Sequence, residues 1–131
     1  MACDQVMIVE DEMDLRETLK DLLEMIGFRA YTAENGEEGL KLLSEKGKPC
    51  LILLDLMMPV MNGWEFLEKL KNEHKETLSS IPVIVVSAAA DLTDVRQRYD
   101  CRVLKKPVSI QNLISVTREH CKAAGTDNLS L

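Results

Sequence analysis

Four short runs, three of them wholly apolar, each stop abruptly at polar or charged residues, and this pattern restricts the fold more than any other feature. Val6-Met7-Ile8-Val9 stops at Glu10-Asp11-Glu12, and Cys50-Leu51-Ile52-Leu53-Leu54 stops at Asp55. Pro82-Val83-Ile84-Val85-Val86 stops at Ser87, and the weaker run Arg102-Val103-Leu104 stops at Lys105-Lys106-Pro107. Runs without alternation are buried on both faces, as in a parallel sheet covered by helices on each side. A fifth strand is expected over Phe28 to Thr32.

Helical spacing fills the intervals. Leu15, Leu19, Leu22, Leu23 and Ile26 recur at helical period, with Gly27 placed as a left-handed cap. Asn35-Gly36 opens a second helix carrying Leu40, Leu42 and Leu43, which ends near Gly47-Lys48-Pro49. After the turn residues Pro59, Asn62 and Gly63, a third helix places Phe66, Leu67 and Leu70 on one side. A fourth helix is expected over Asp91 to Tyr99, and Ile110, Leu113, Ile114 and Thr117 mark a last one. The expected fold is therefore α/β and doubly wound, with five parallel strands and five helices. Residues 1–124 form one domain in this reading, and 125–131 a C-terminal tail.

Composition removes several functions. The net charge is -6, which opposes direct nucleic-acid binding because that depends on Lys and Arg displacing counterions. No apolar run reaches the roughly 20 residues that span a bilayer. Aromatics are only 4% of the chain, so Leu, Ile, Val and Met must fill the core. Cys3, Cys50, Cys101 and Cys121 show no CxxC spacing, and no secretory segment precedes them. They read as reduced thiols in a cytoplasmic protein.

Ligand sites in open α/β sheets lie beyond the carboxyl ends of the strands. Those ends supply Glu10, Asp11, Asp55, Ser87 and Lys106 here. Three carboxylates in one cleft repel one another unless a cation joins them, and hard oxygen ligands suit Mg²⁺. A carboxylate can attack phosphorus when metal and lysine neutralise the equatorial oxygens. Asp55 is then the nucleophile, Glu10 and Asp11 hold the metal, and Lys106 and Ser87 contact phosphoryl oxygens. Taken singly, each residue has a plainer use: the acidic triplet as a complement to a helix dipole, Asp55 as a cap, Ser87 as a loop residue and the lysines as solvated charges. Met57, Met58 and Met61 read as packing residues, and Trp64 as partly exposed.

The whole set resembles the response-regulator receiver family. The resemblance rests on Val-Glu-Asp-Glu at Val9 to Glu12, Asp55-Leu-Met-Met-Pro-Val-Met-Asn-Gly through Gly63, Ser87-Ala88 and Lys106-Pro107. It covers nearly the whole chain and implies a flavodoxin-like sheet in the order 2-1-3-4-5. It further implies Mg²⁺-dependent phosphoryl acceptance on Asp55 from the phosphohistidine of a sensor kinase or phosphotransfer protein. The Met57 carbonyl would join the metal ligands, Ser87, Ala88 and Lys106 would bind and sense the phosphoryl group, and Lys106-Pro107 would be cis.

The chain departs from the family pattern at two places. Val103 stands where the family's switch aromatic usually sits, and Tyr99 does not match its register. The stretch from Ser87 to Lys106 is shorter than usual and lacks a Gly-Ala pair. The expected protein is a free-standing phosphoacceptor, not an enzyme, that is a monomer or weak dimer and acts through a separate downstream protein. An aspartyl-phosphate phosphatase would want a second carboxylate where Met57 stands. A flavin carrier would want a hydroxyl-rich loop after the first strand. A receiver-like binding module without phosphoacceptance would not need the full acceptor set.

Overall fold

The computed structural model describes residues 4–73, 81–88, 99 and 101–121. It holds five strands: β1 (Gln5–Val9), β2 (Arg29–Ala33), β3 (Leu51–Leu54), β4 (Val83–Ser87) and β5 (Arg102–Lys105). Four helices lie among the described residues: α1 (Met13–Met25), α2 (Gly36–Lys46), α3 (Gly63–Glu73) and α4 (Ile110–His120). The strands form one parallel sheet in the order β2-β1-β3-β4-β5. The helix expected over Asp91 to Tyr99 and the tail at 125–131 lie outside the described residues, Tyr99 excepted.

Successive strand residues point to opposite faces, so the unbroken apolar runs build two cores at once. Met7, Val9, Ile52, Leu54 and Val85 face α3, where Phe66, Leu67 and Leu70 are fully buried. Leu40 and Leu43 of α2 pack on that same side. Val6, Ile8, Leu51, Leu53, Ile84 and Val86 face the other way, against Leu19 and Leu23 of α1 and Leu113 and Val116 of α4. Each fully buried aliphatic side chain contributes about 1.5–3 kcal/mol relative to exposure.

The local signals explain most element ends. Gly27, at φ 99, closes α1 with Gly27 N–H donating to the Glu24 carbonyl and Phe28 N–H to the Leu23 carbonyl. Phe28 thereby belongs to the cap, and β2 starts one residue later than expected and runs one residue further. Asn35 caps α2 by accepting from the Glu38 amide at 2.9 Å. Asn62 and Glu65 cap α3 reciprocally, each side chain accepting from the other's amide. Thr117, read as part of an apolar stripe, is buried because its hydroxyl donates to the Leu113 carbonyl at 2.7 Å.

Two expectations are corrected. Cys50 is disulfide-bonded rather than a reduced thiol, while Cys101 and Cys121 are free and buried. Cys3 lies outside the described residues. Met57 does not pack in the core: it is 65% exposed, because it follows Asp55 out over the carboxyl edge of the sheet, whereas Met58 is buried and Met61 partly so. Among the described residues, no helix is long and apolar enough to cross a membrane.

Candidate functional site

Parallel register brings the strand ends level. Val9 pairs with both Ala33 and Leu54, Leu54 pairs with Val85, and Ser87 pairs with Lys105. One residue beyond, Glu10 and Asp55 leave the sheet side by side, tied by Glu10 N–H to the Ala33 carbonyl and Asp55 N–H to the Val9 carbonyl. Lys106 follows β5 with its N–H donating to the Ser87 carbonyl at 3.0 Å.

Carboxylate oxygens of Glu10, Asp11 and Asp55 lie within 4.8 Å of one another, with Glu10 and Asp55 buried and Asp11 exposed. The Lys106 ammonium joins them, 2.8 Å from Glu10 Oε1 and 3.6 Å from Asp55 Oδ1. Lys105 points out to solvent. Burial, then the Glu10 charge, pushes the Asp55 carboxyl up to about 7, against the pull of Lys106, while a bond from the Met57 amide favours the ionised form. Burial works to lower the Lys106 pKa, but its hydrogen bond to Glu10 and the charges of Asp55 and Glu10 outweigh burial and raise it.

This electrostatic frustration is the test of whether a metal fits. Two buried carboxylates and a nearby third share one ammonium, so the cluster is short of positive charge when it holds no cation. An all-oxygen donor set open to water on the Asp11 side fits a hard divalent ion such as Mg²⁺. Ser87 is fully buried at the end of β4, and Ala88 is exposed beside it. The Lys106-Pro107 peptide is cis. Val103 is partly buried on β5 and packs in the same core as Tyr99, which is buried with the Lys71 ammonium 5.9 Å from its ring centre.

Three features of the site had no clear signal in the sequence. A Cβ on Gly63 would stand 2.5 Å from the Asp55 carbonyl oxygen and 2.7 Å from Leu56 Cα, so only glycine allows α3 to start against the Asp55 peptide. Val60 adopts φ 66 at the centre of a tight turn, with Met61 N–H donating to the Pro59 carbonyl, a conformation that β-branched residues rarely take. Arg16 folds back from α1. Its Nη1 donates to the Glu10 and Asp11 carbonyls at 2.9 and 3.3 Å.

The response regulator receiver domain family model matches residues 6–118. The chain is similar to the probable transcriptional regulator ycf27 of Pyropia yezoensis, 35% identical over 91 residues that cover 70% of this chain and 35% of that protein. It is similar also to the transcriptional regulatory protein CpxR homolog of Haemophilus influenzae, 39% identical over 90 residues that cover 69% of this chain and 37% of that one. The matched region thus spans about a third of the length of these relatives. The crystal structure of a CheY-like response regulator receiver domain protein from Methanospirillum hungatei JF-1 superposes with a TM-score of 0.75 at 30% identity, covering 88% of this chain and 93% of that chain. The fold, the strand order and this match agree: the chain belongs to the response regulator receiver domain family, the signalling domains of two-component systems.

Proposed function

We propose that this chain accepts a phosphoryl group on Asp55 from a phosphohistidine donor, in an Mg²⁺-dependent reaction, and that the acyl phosphate changes a partner-binding surface. The observation that carries this reading is the meeting of Asp55 with the Glu10 and Asp11 carboxylates within 4.8 Å and with the Lys106 ammonium 3.6 Å from Asp55 Oδ1. Asp55 Oδ attacks phosphorus, and the P–N bond to the donor imidazole breaks as the imidazole leaves. Glu10, Asp11, Asp55 and the Met57 carbonyl would hold Mg²⁺, which supplies the charge that neutralises phosphoryl oxygens when bound.

Lys106, already oriented by Glu10, would shift its pairing toward a phosphoryl oxygen. Ser87 and Ala88, at the end of β4, would contact the others. The chain is a phosphoacceptor on this reading, and its only catalysis concerns its own phosphorylation and dephosphorylation. With Val103 on β5 in place of an aromatic, the response does not use a strand-five aromatic rotamer. The partners are a sensor histidine kinase or phosphotransfer protein and a downstream protein, without direct nucleic-acid contact by this domain, which is a monomer or weak dimer. It works in the cytoplasm, where the Cys50 disulfide would be subject to reduction.

The test is intact-mass spectrometry after incubation with acetyl phosphate, comparing wild type and Asp55→Asn with Mg²⁺ or with EDTA. The wild type should gain one phosphoryl mass only with Mg²⁺, and Asp55→Asn none. A labelled Asp55→Asn protein, or undiminished labelling in EDTA, would count against the reading.

A further inference from the structure

The residues that follow β1 carry two of the three clustered carboxylates, yet few bonds hold them. Glu10 N–H is tied to Ala33, and Glu12 N–H donates to Glu10 Oε2 at 3.1 Å. The Glu12 side chain makes no cap on α1. Lys106 holds the Glu10 side chain, 2.8 Å from its Oε1, while the backbone around Asp11 is met by Arg16, one turn into α1, whose own N–H bonds the Glu12 carbonyl at 2.9 Å. Its Nη1 donates to both the Glu10 and the Asp11 carbonyls. Carbonyls fixed in this way set the peptide planes on either side of Asp11, and so the direction in which this exposed carboxylate leaves the chain.

We propose that Arg16 is a positioning residue for divalent-cation binding: it acts through the Glu10 and Asp11 carbonyls to hold both carboxylates in reach of one ion, and touches neither ion nor phosphoryl group. This rests on the metal-dependent reading above. Charge and position make opposite demands, which gives the proposal a decisive sign. A cation beside an acidic cluster repels an incoming Mg²⁺, so if Arg16 acted only as a charge its removal would tighten binding. If it positions the loop, removal must weaken binding, by about 10-fold as for other groups that orient metal ligands.

Isothermal titration with MgCl₂ alone, on the same full chain in wild type, Arg16→Ala, Arg16→Lys and Glu17→Ala, tests this without any phosphorylation. Glu17 is an exposed neighbour on α1 and serves as the control. The expected result is a Kd about 10-fold higher for Arg16→Ala, an intermediate value for Arg16→Lys, whose ammonium sits on a shorter, flexible stem and fixes the two carbonyls less firmly, and little change for Glu17→Ala. Unchanged or tighter binding in a folded Arg16→Ala overturns the proposal and leaves the metal site standing. Should Arg16→Ala not fold, Arg16→Lys decides alone: affinity equal to wild type overturns the positioning role, and a several-fold loss supports it. Absence of Mg²⁺ binding by wild type overturns the metal reading and this proposal with it.

Discussion

Asp55 is the residue where the energetics of the site concentrate. Its carboxyl ordinarily titrates near 3.8 and is pushed up to about 7, first by burial and then by Glu10. Between those values the folded domain keeps a proton that the unfolded chain has released. Stability of the metal-free domain must therefore be greatest at the acid end of this window, fall as pH rises from about 4 to about 7, and gain no further slope from Asp55 above that. Asp55→Asn removes the titrating group, so its thermal midpoint in EDTA should be flatter across the window and higher than wild type near pH 8. At pH 8 the wild type must hold an ionised carboxylate against burial and the Glu10 charge, a cost that asparagine does not carry. Equal pH slopes in the two proteins would show that Asp55 ionises freely, and the electrostatic account of the site would fail.

At the scale of elements, the start of α3 connects packing to chemistry. Asn62 and Glu65 cap the helix, and Gly63 N–H donates to the Leu56 carbonyl at 2.9 Å, which seats the first turn of α3 on the Asp55-Leu56 peptide. Gly63→Ala puts a methyl group against backbone atoms that have no rotamer to yield. It should cost about 1–3 kcal/mol in urea denaturation and slow phosphorylation through displacement of Asp55, with the rate followed by intact mass. A variant as stable and as fast as wild type would show that the loop shifts freely.

These elements also show what was readable in advance. The apolar runs identified β1, β3 and β4 to within a residue at their ends, because burial on both faces leaves no polar alternation to confuse the assignment, and weaker runs placed the half-buried edge strands β2 and β5 as closely. Glu10, Asp11, Asp55, Ser87 and Lys106 were readable as strand-end residues. The reach of Arg16 back to two carbonyls, the backbone contact that excludes a Cβ at Gly63, and the exposure of Met57 were not. Each depends on how a loop turns in space, which apolar period does not encode. The Cys50 disulfide was missed for a related reason: its sequence neighbours carry no CxxC spacing, so pairing depends on what the fold brings close.

Considered whole, the molecule separates support from chemistry. The two cores on either face of the sheet bury β1, β3 and β4 almost completely. The disulfide-bonded Cys50 precedes β3, and Asp55 follows it at the opposite edge. Among the described residues, buried carboxylates gather at the carboxyl edge, and parallel register delivers the cluster there: Glu10 and Asp11 follow β1, Asp55 follows β3, Ser87 ends β4 and Lys106 follows β5.

The central claim, that a phosphoryl group resides on Asp55, is tested most directly by chemical trapping. Borohydride reduces an acyl phosphate to an alcohol, which would convert a phosphorylated Asp55 to homoserine. The protein is treated with phosphodonor and Mg²⁺, reduced, digested and sequenced by tandem mass spectrometry. The account predicts homoserine at position 55 in the Mg²⁺ sample and aspartate there when EDTA replaces the metal. Homoserine at another aspartate, or a phosphoryl group on a hydroxyl side chain that survives reduction, would contradict it.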